Sequence, residues 1–184
     1  MTGWHIREAV RIITAGGVIA YPTDTVYGLG CDPLNAAAVL HLLELKQRGI
    51  AQGVILIAGH WRQLQPFLQP LKPATEKRVK MDTGKPVTWL LPARPDVPVW
   101  LRGLHHTLAV RVTHHPAVTG LCGRWNGPLV STSANRHGRK PAASPLEIHR
   151  AFGNSLDYVL NGPGGTGRPS EIRDGLTGRF LRGG

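Results

Sequence analysis

The sequence predicts an α/β fold built on a mixed sheet. Short apolar runs such as Val54-Ile55-Leu56-Ile57 alternate with segments whose apolar residues recur at helical spacing. The connections between the runs are not uniform strand–helix–strand units, which argues against a purely parallel sheet. The chain has 184 residues, 41% of them hydrophobic, enough for one domain with a sizeable core and unlike a disordered chain.

The elements follow in order. Ile6, Ala9, Val10 and Ile13 mark a helix that Gly16-Gly17 ends. Residues 18–21 read as a buried strand, and 21–30 as the loop it opens into. Asn35 is the expected N-cap of a second helix carrying Ala38, Val39, Leu42 and Leu43. Residues 54–57 form a strand. Trp61, Leu64 and Phe67 or Leu68 suggest a short helix, and Pro73 opens another. Residues 87–91 and 108–112 are strands joined by a proline-rich connection over 92–100. Val118, Leu121 and Cys122 line a helix, and Leu129-Val130 is a short strand. Leu146, His149 or Arg150, and Phe152 fit a further helix, and 158–160 a strand. The tail over 171–181 reads as two short strands around Asp174-Gly175. There is no internal repeat and no low-complexity segment.

Charge narrows the function. Lys and Arg number 22 against 11 acidic residues, a net +11, and arginine supplies 16 of the 22. The arginine fork suits phosphate oxygens, so a polyanion or nucleotide is an expected partner. No apolar run approaches the roughly 20 residues that span a bilayer. The polar N-terminus lacks the apolar centre of a secretory signal. Cys31 and Cys122 form no metal-ligand spacing and read as free thiols in a reducing cytosol. These features predict a cytoplasmic protein with no membrane association and no protein-bound metal.

Four segments carry candidate chemistry. Tyr21-Pro22-Thr23-Asp24-Thr25-Val26-Tyr27-Gly28-Leu29-Gly30 packs hydroxyls, a carboxylate and bare backbone where a strand ends, the usual ligand edge of an α/β sheet. The alternative is a polar turn. Lys46-Gln47-Arg48 closes the second helix, where cations either complement the helix dipole or face a phosphate. Their i, i+2 spacing lets both reach one ligand only if the helix gives way there. Ser131-Thr132-Ser133-Ala134-Asn135 follows the strand at 129–130 and is poor core material. It is either a ligand loop or a Ser/Thr turn. Arg111 lies inside the apolar run Ala109-Val110-Arg111-Val112, where it must meet an internal carboxylate or a ligand anion. The ligand is the favoured reading. The glycine-rich run at 162–167 is not a phosphate-binding loop of the Gly-Lys-Ser/Thr type. Arg136, Arg139 and Lys140 form a basic loop, a solvated surface or an RNA contact.

Taken in chain order, and joined by Pro169-Ser170-Glu171-Ile172-Arg173-Asp174, the segments resemble the YrdC/Sua5 family in its short single-domain bacterial form. The resemblance covers nearly the whole chain. It implies one domain over residues 1–184: a twisted mixed sheet with flanking helices and a basic concave face. It also implies a reaction in which L-threonine, bicarbonate and ATP, with Mg²⁺, give L-threonylcarbamoyl-adenylate and pyrophosphate. A separate transferase complex would then place the threonylcarbamoyl group on adenosine 37 of tRNAs reading codons that begin with A. By the same resemblance Thr23, Tyr27, Arg111 and Ser133 surround threonine. Lys46 and Arg48 act on the triphosphate as the catalytic cations, and Ser131, Asn135 and Ser170 lie on the nucleotide side. Two departures stand out. Gln52 occupies a position where similar sequences carry Lys, and Thr83-Gly84-Lys85-Pro86-Val87-Thr88 replaces a Pro-Gly-Pro-x-Thr segment. The other class of reading is an RNA-binding module in tRNA or ribosome maturation, motivated by the charge.

Overall fold

The computed structural model describes residues 2–81, 83–136 and 138–182. The elements run α1 (Gly3–Thr14), β1 (Ile19–Tyr21), β2 (Gly28–Gly30), α2 (Ala36–Leu45), β3 (Ile55–Ala58), α3 (Pro73–Lys80), β4 (Val87–Pro92) and α4 (Val99–Arg102). They continue with β5 (Thr107–Val112), α5 (Pro116–Trp125), β6 (Leu129–Ser133), α6 (Pro145–Phe152), β7 (Tyr158–Val159), β8 (Glu171–Asp174) and β9 (Phe180–Arg182). All the strands join one sheet in the order β7-β1-β2-β6-β3-β5-β4-β8-β9. The pairs β1/β7, β3/β5 and β4/β8 are parallel and the rest antiparallel, so the sheet is mixed, as the irregular connections require.

The two faces of the sheet bury different clusters. Along β3, Leu56 and Ala58 join one core with Leu42, Trp89 and Val110. Ile57 between them joins another with Ile13, Leu121 and Leu129. This is the period-two alternation of a strand covered on both sides. The side chains of Ile55, Ala109 and Ser131 share a cross-strand row, since Ile55 pairs with both neighbours. That row leads to the candidate site.

Several expectations need correction. The glycines at 28 and 30 are not in a loop but form β2, paired with β1 on one side and β6 on the other. A Cβ on Gly30 would lie 2.4 Å from the Val130 carbonyl oxygen and 2.7 Å from the Tyr21 ring. Only glycine lets the chain pass there, and pairing on both edges supplies what β propensity does not. β6 extends beyond Val130 through Ser133, because Gly28 and Leu29 pair with Ser133 and Thr132. The expected helix around Trp61 is two 3₁₀ turns, Trp61–Gln63 and Gln65–Phe67, since Pro66 lacks the amide that an α-helix would use. The proline-rich connection hides α4, whose first turn follows Pro98.

Candidate active site

The end of α2 presents the first cation. Asn35 caps the start, its side chain accepting from the Ala38 amide at 3.1 Å. The helix stops at Leu45. Gln47 takes φ 51°, a left-handed conformation, and the Gln47 and Arg48 amides donate back to the Glu44 and Leu43 carbonyls at 2.8 and 3.0 Å. This Schellman-type ending gives way at the point the Lys46/Arg48 spacing required. It turns the Lys46 side chain inward, where it is 5% exposed. Its ammonium donates to the Ser133 carbonyl at 2.6 Å, the Asn135 carbonyl at 2.5 Å and the Asn135 Oδ1 at 2.6 Å. The same Oδ1 accepts from the Ser133 hydroxyl at 2.6 Å, and the Asn135 amide donates to the Arg139 carbonyl at 2.6 Å. Lys46, Ser133 and Asn135 are therefore one hydrogen-bonded unit. Burial, and then the nearby Arg48 charge, push the Lys46 ammonium down to about 8.

A second unit centres on Arg111. Its guanidinium forms a salt bridge through Nη2 with Asp24 Oδ1 and donates from Nη1 to the Thr25 hydroxyl at 3.1 Å. The structure thus supplies the internal carboxylate that the ligand reading had set aside. Arg111 holds the Asp24 carboxyl below its ordinary range, although burial alone, the largest single influence, raises it. Thr23 lies beneath this pair. Its hydroxyl donates to the Val26 carbonyl at 2.7 Å, accepts from the Thr25 amide at 3.1 Å and lies 2.9 Å from the Thr25 hydroxyl. Since the Thr23 proton goes to Val26, Thr25 donates to Thr23 and offers a lone pair to Arg111.

The glycine-rich segment closes over this unit. Thr166 and Gly167 amides donate to the Asp24 and Thr25 carbonyls at 3.2 and 2.9 Å. The buried Tyr27 hydroxyl donates to the Gly162 carbonyl at 2.6 Å and accepts from the Gly162 amide at 3.2 Å. A Cβ on Gly165 would lie 2.1 Å from both the carbonyl carbon and oxygen of Asp24. Ser170 follows, its hydroxyl buried against Thr88 at 2.8 Å. Ser131 is buried with its hydroxyl against that of Tyr21. A cavity of about 700 Å³ opens beside Asp24, Thr113, His115 and Thr166.

Arg48 lies outside the Lys46–Ser133–Asn135 hydrogen bonds, though its charge reaches Lys46. Burial, and then repulsion from Arg182 on the last strand, lower its pKa. Among the described residues the buried side-chain atoms without a hydrogen-bond partner are two, the Nε atoms of Arg48 and Arg111. The sequence reading missed Asp24, Thr25, Thr88, Gly165 and Arg182 as parts of the site. Asp24 and Thr25 sit inside the segment it singled out and Thr88 ends the altered 83–88 segment, whereas nothing local marks Arg182. Among the described residues no three His, Cys, Asp or Glu side chains are grouped to hold a metal ion, and no helix is long and apolar enough to cross a membrane.

Buried cations, one of them caged by neutral oxygens, together with hydroxyl-rich loops at strand ends, define an α/β protein equipped for anionic small molecules. A family model for Sua5, YciO and YrdC proteins, described as "Telomere recombination", matches residues 11–184, and the chain belongs to that family. It is 57% identical over 182 residues to the threonylcarbamoyl-AMP synthase of Nitrosococcus oceani, covering 97% of each chain. It is 48% identical over 178 residues to the synthase of the same name from Coxiella burnetii, covering 96% of each. A crystal structure of P. abyssi Sua5 complexed with L-threonine matches with a TM-score of 0.88 at 28% identity, covering 95% of this chain and 52% of that one. The chain thus spans about half the length of that Sua5 protein.

Proposed function

We propose that this chain condenses L-threonine, bicarbonate and ATP into L-threonylcarbamoyl-adenylate with release of pyrophosphate. It would act as one domain over residues 1–184 in the cytoplasm. The names of its full-length relatives support the reading. The observation on this chain that carries it is the buried Lys46 ammonium gathered with Ser133 and Asn135 in one hydrogen-bonded unit where α2 and β6 end. Neutral oxygens around a buried cation leave its charge uncompensated for an anionic ligand.

In this reading Arg111 receives the threonine carboxylate, with Thr23, Tyr27 and Ser133 shaping the surroundings. The Tyr27 hydroxyl is already engaged by the Gly162 peptide, so its part narrows to the ring and to holding the loop. Lys46 and Arg48 neutralise the triphosphate, with Ser131, Asn135 and Ser170 on the nucleotide side. A carbamate formed from the threonine amine attacks the α-phosphorus of ATP, and pyrophosphate leaves. No enzyme nucleophile is required, so catalysis is positioning and charge neutralisation. Mg²⁺ belongs to the reading as the counter-ion that arrives with ATP. The product then passes to a transferase complex that modifies adenosine 37 of tRNA.

The test is pyrophosphate release with each substrate omitted in turn. Release should require all three. Release that continues without threonine would overturn the assignment.

A further inference from the structure

We infer that Asp24 is a positioning residue for amino-acid recognition: with the Thr25 hydroxyl it fixes the Arg111 guanidinium so that one edge meets the substrate carboxylate. The inference rests on the reading that Arg111 receives that carboxylate.

Three observations carry it. Arg111 is far more buried than its partner, with side-chain exposures of 7% and 31%. A long cationic side chain on a β-strand would otherwise choose among rotamers, and a buried charge without a partner is costly. Asp24 and Thr25 each hold one N–H, of Nη2 and Nη1, so each of these nitrogens keeps a second N–H, while Nε is enclosed without an acceptor. The guanidinium is therefore oriented yet incompletely satisfied. Asp24 is itself rigidly supported, because Thr166 binds its carbonyl and Gly165 packs against its backbone with no room for a Cβ. The hydroxyl order Thr25 to Thr23 to Val26 leaves Thr25 able only to accept from Arg111, so the support has one polarity. A carboxylate arriving at the second N–H of Nη1 or Nη2 meets donors that are already aimed, which lowers the ordering cost of binding.

A rival account has Asp24 compete with the substrate for Arg111. The two differ in sign. Asp24→Asn keeps the shape and removes the charge. Positioning predicts a threonine KM raised about tenfold or more, an ATP KM changed less than about twofold, and partial recovery in Asp24→Glu. Competition predicts a lower threonine KM, and that result would overturn the inference. Equal rises in both KM values would also overturn it, because they would show a general structural role. Thr25→Val removes the second support while conserving volume, and it should move the threonine KM in the same direction even if Asp24→Asn folds poorly. The discrimination between L-threonine and its uncharged amide in competitive binding separates the two layers of the argument. If Arg111→Met retains that discrimination, the carboxylate reading itself fails. If Arg111→Met loses it and both Asp24→Asn and Thr25→Val retain it, the positioning role alone fails.

Discussion

The Lys46 ammonium lies 2.6 Å from the Ser133 carbonyl oxygen, which ties the end of α2 to the end of β6. Two oxygens of Asn135 and, at 3.5 Å, the Ser133 hydroxyl also surround it. Lys46→Met should remove the charge while leaving these acceptors dry. We expect activity to fall about 100-fold or more, the scale seen when a single stabilising donor is removed from a transition state. Steady-state pyrophosphate release measures this, and retention of activity within a few fold would contradict the role.

Lys46 also sets a pH dependence with opposite signs for activity and stability. Burial and the Arg48 charge bring its pKa to about 8. Between that value and the ordinary lysine value the unfolded chain binds the extra proton, so the Lys46 contribution to stability rises with pH. The charge that serves the triphosphate is lost over the same interval. The kcat/KM for ATP should therefore fall through a limb near pH 8, and Lys46→Arg should move that limb upward.

Asn135 holds the cage together from both ends, accepting from Lys46 and donating to the Arg139 carbonyl. Asn135→Ala should raise the ATP KM about tenfold and lower the melting temperature, since a buried network loses its shared member. Titration of ATP at saturating threonine, with a thermal melt alongside, checks both effects.

Gly165 is set by contact and not by φ. A Cβ there would overlap the Asp24 backbone at 2.1 Å. Gly165→Ala must shift the 161–169 segment or the 23–27 loop. The threonine KM should rise while the face of the sheet covered by α1 and α5 stays intact, which amide hydrogen exchange along those two helices would show as unchanged protection.

Much of the fold was legible because its signals are local. The Asn35 cap, the Pro73 start and the alternating run at 54–57 each need only their neighbours. β2 was not legible. Gly28-Leu29-Gly30 has no strand propensity, and pairing with Tyr21 and Ser133 from distant parts of the chain makes it a strand. The site divides in the same way. Lys46, Ser133 and Asn135 were each marked by residue type, but their union in one cage depends on where α2 and β6 end. Arg111 inside an apolar strand announced that it needed a partner. The identity of that partner, Asp24, lay 87 residues away.

The central claim is that three small molecules meet here in one condensation. Incorporation of labelled bicarbonate into an acid-labile adenylate measures it directly, with the product separated and its mass determined. The account predicts label in a species containing one threonine and one AMP, formed in step with pyrophosphate and dependent on Lys46 and Arg111. An adenylate that forms at the same rate without bicarbonate, or that carries no label, would contradict it.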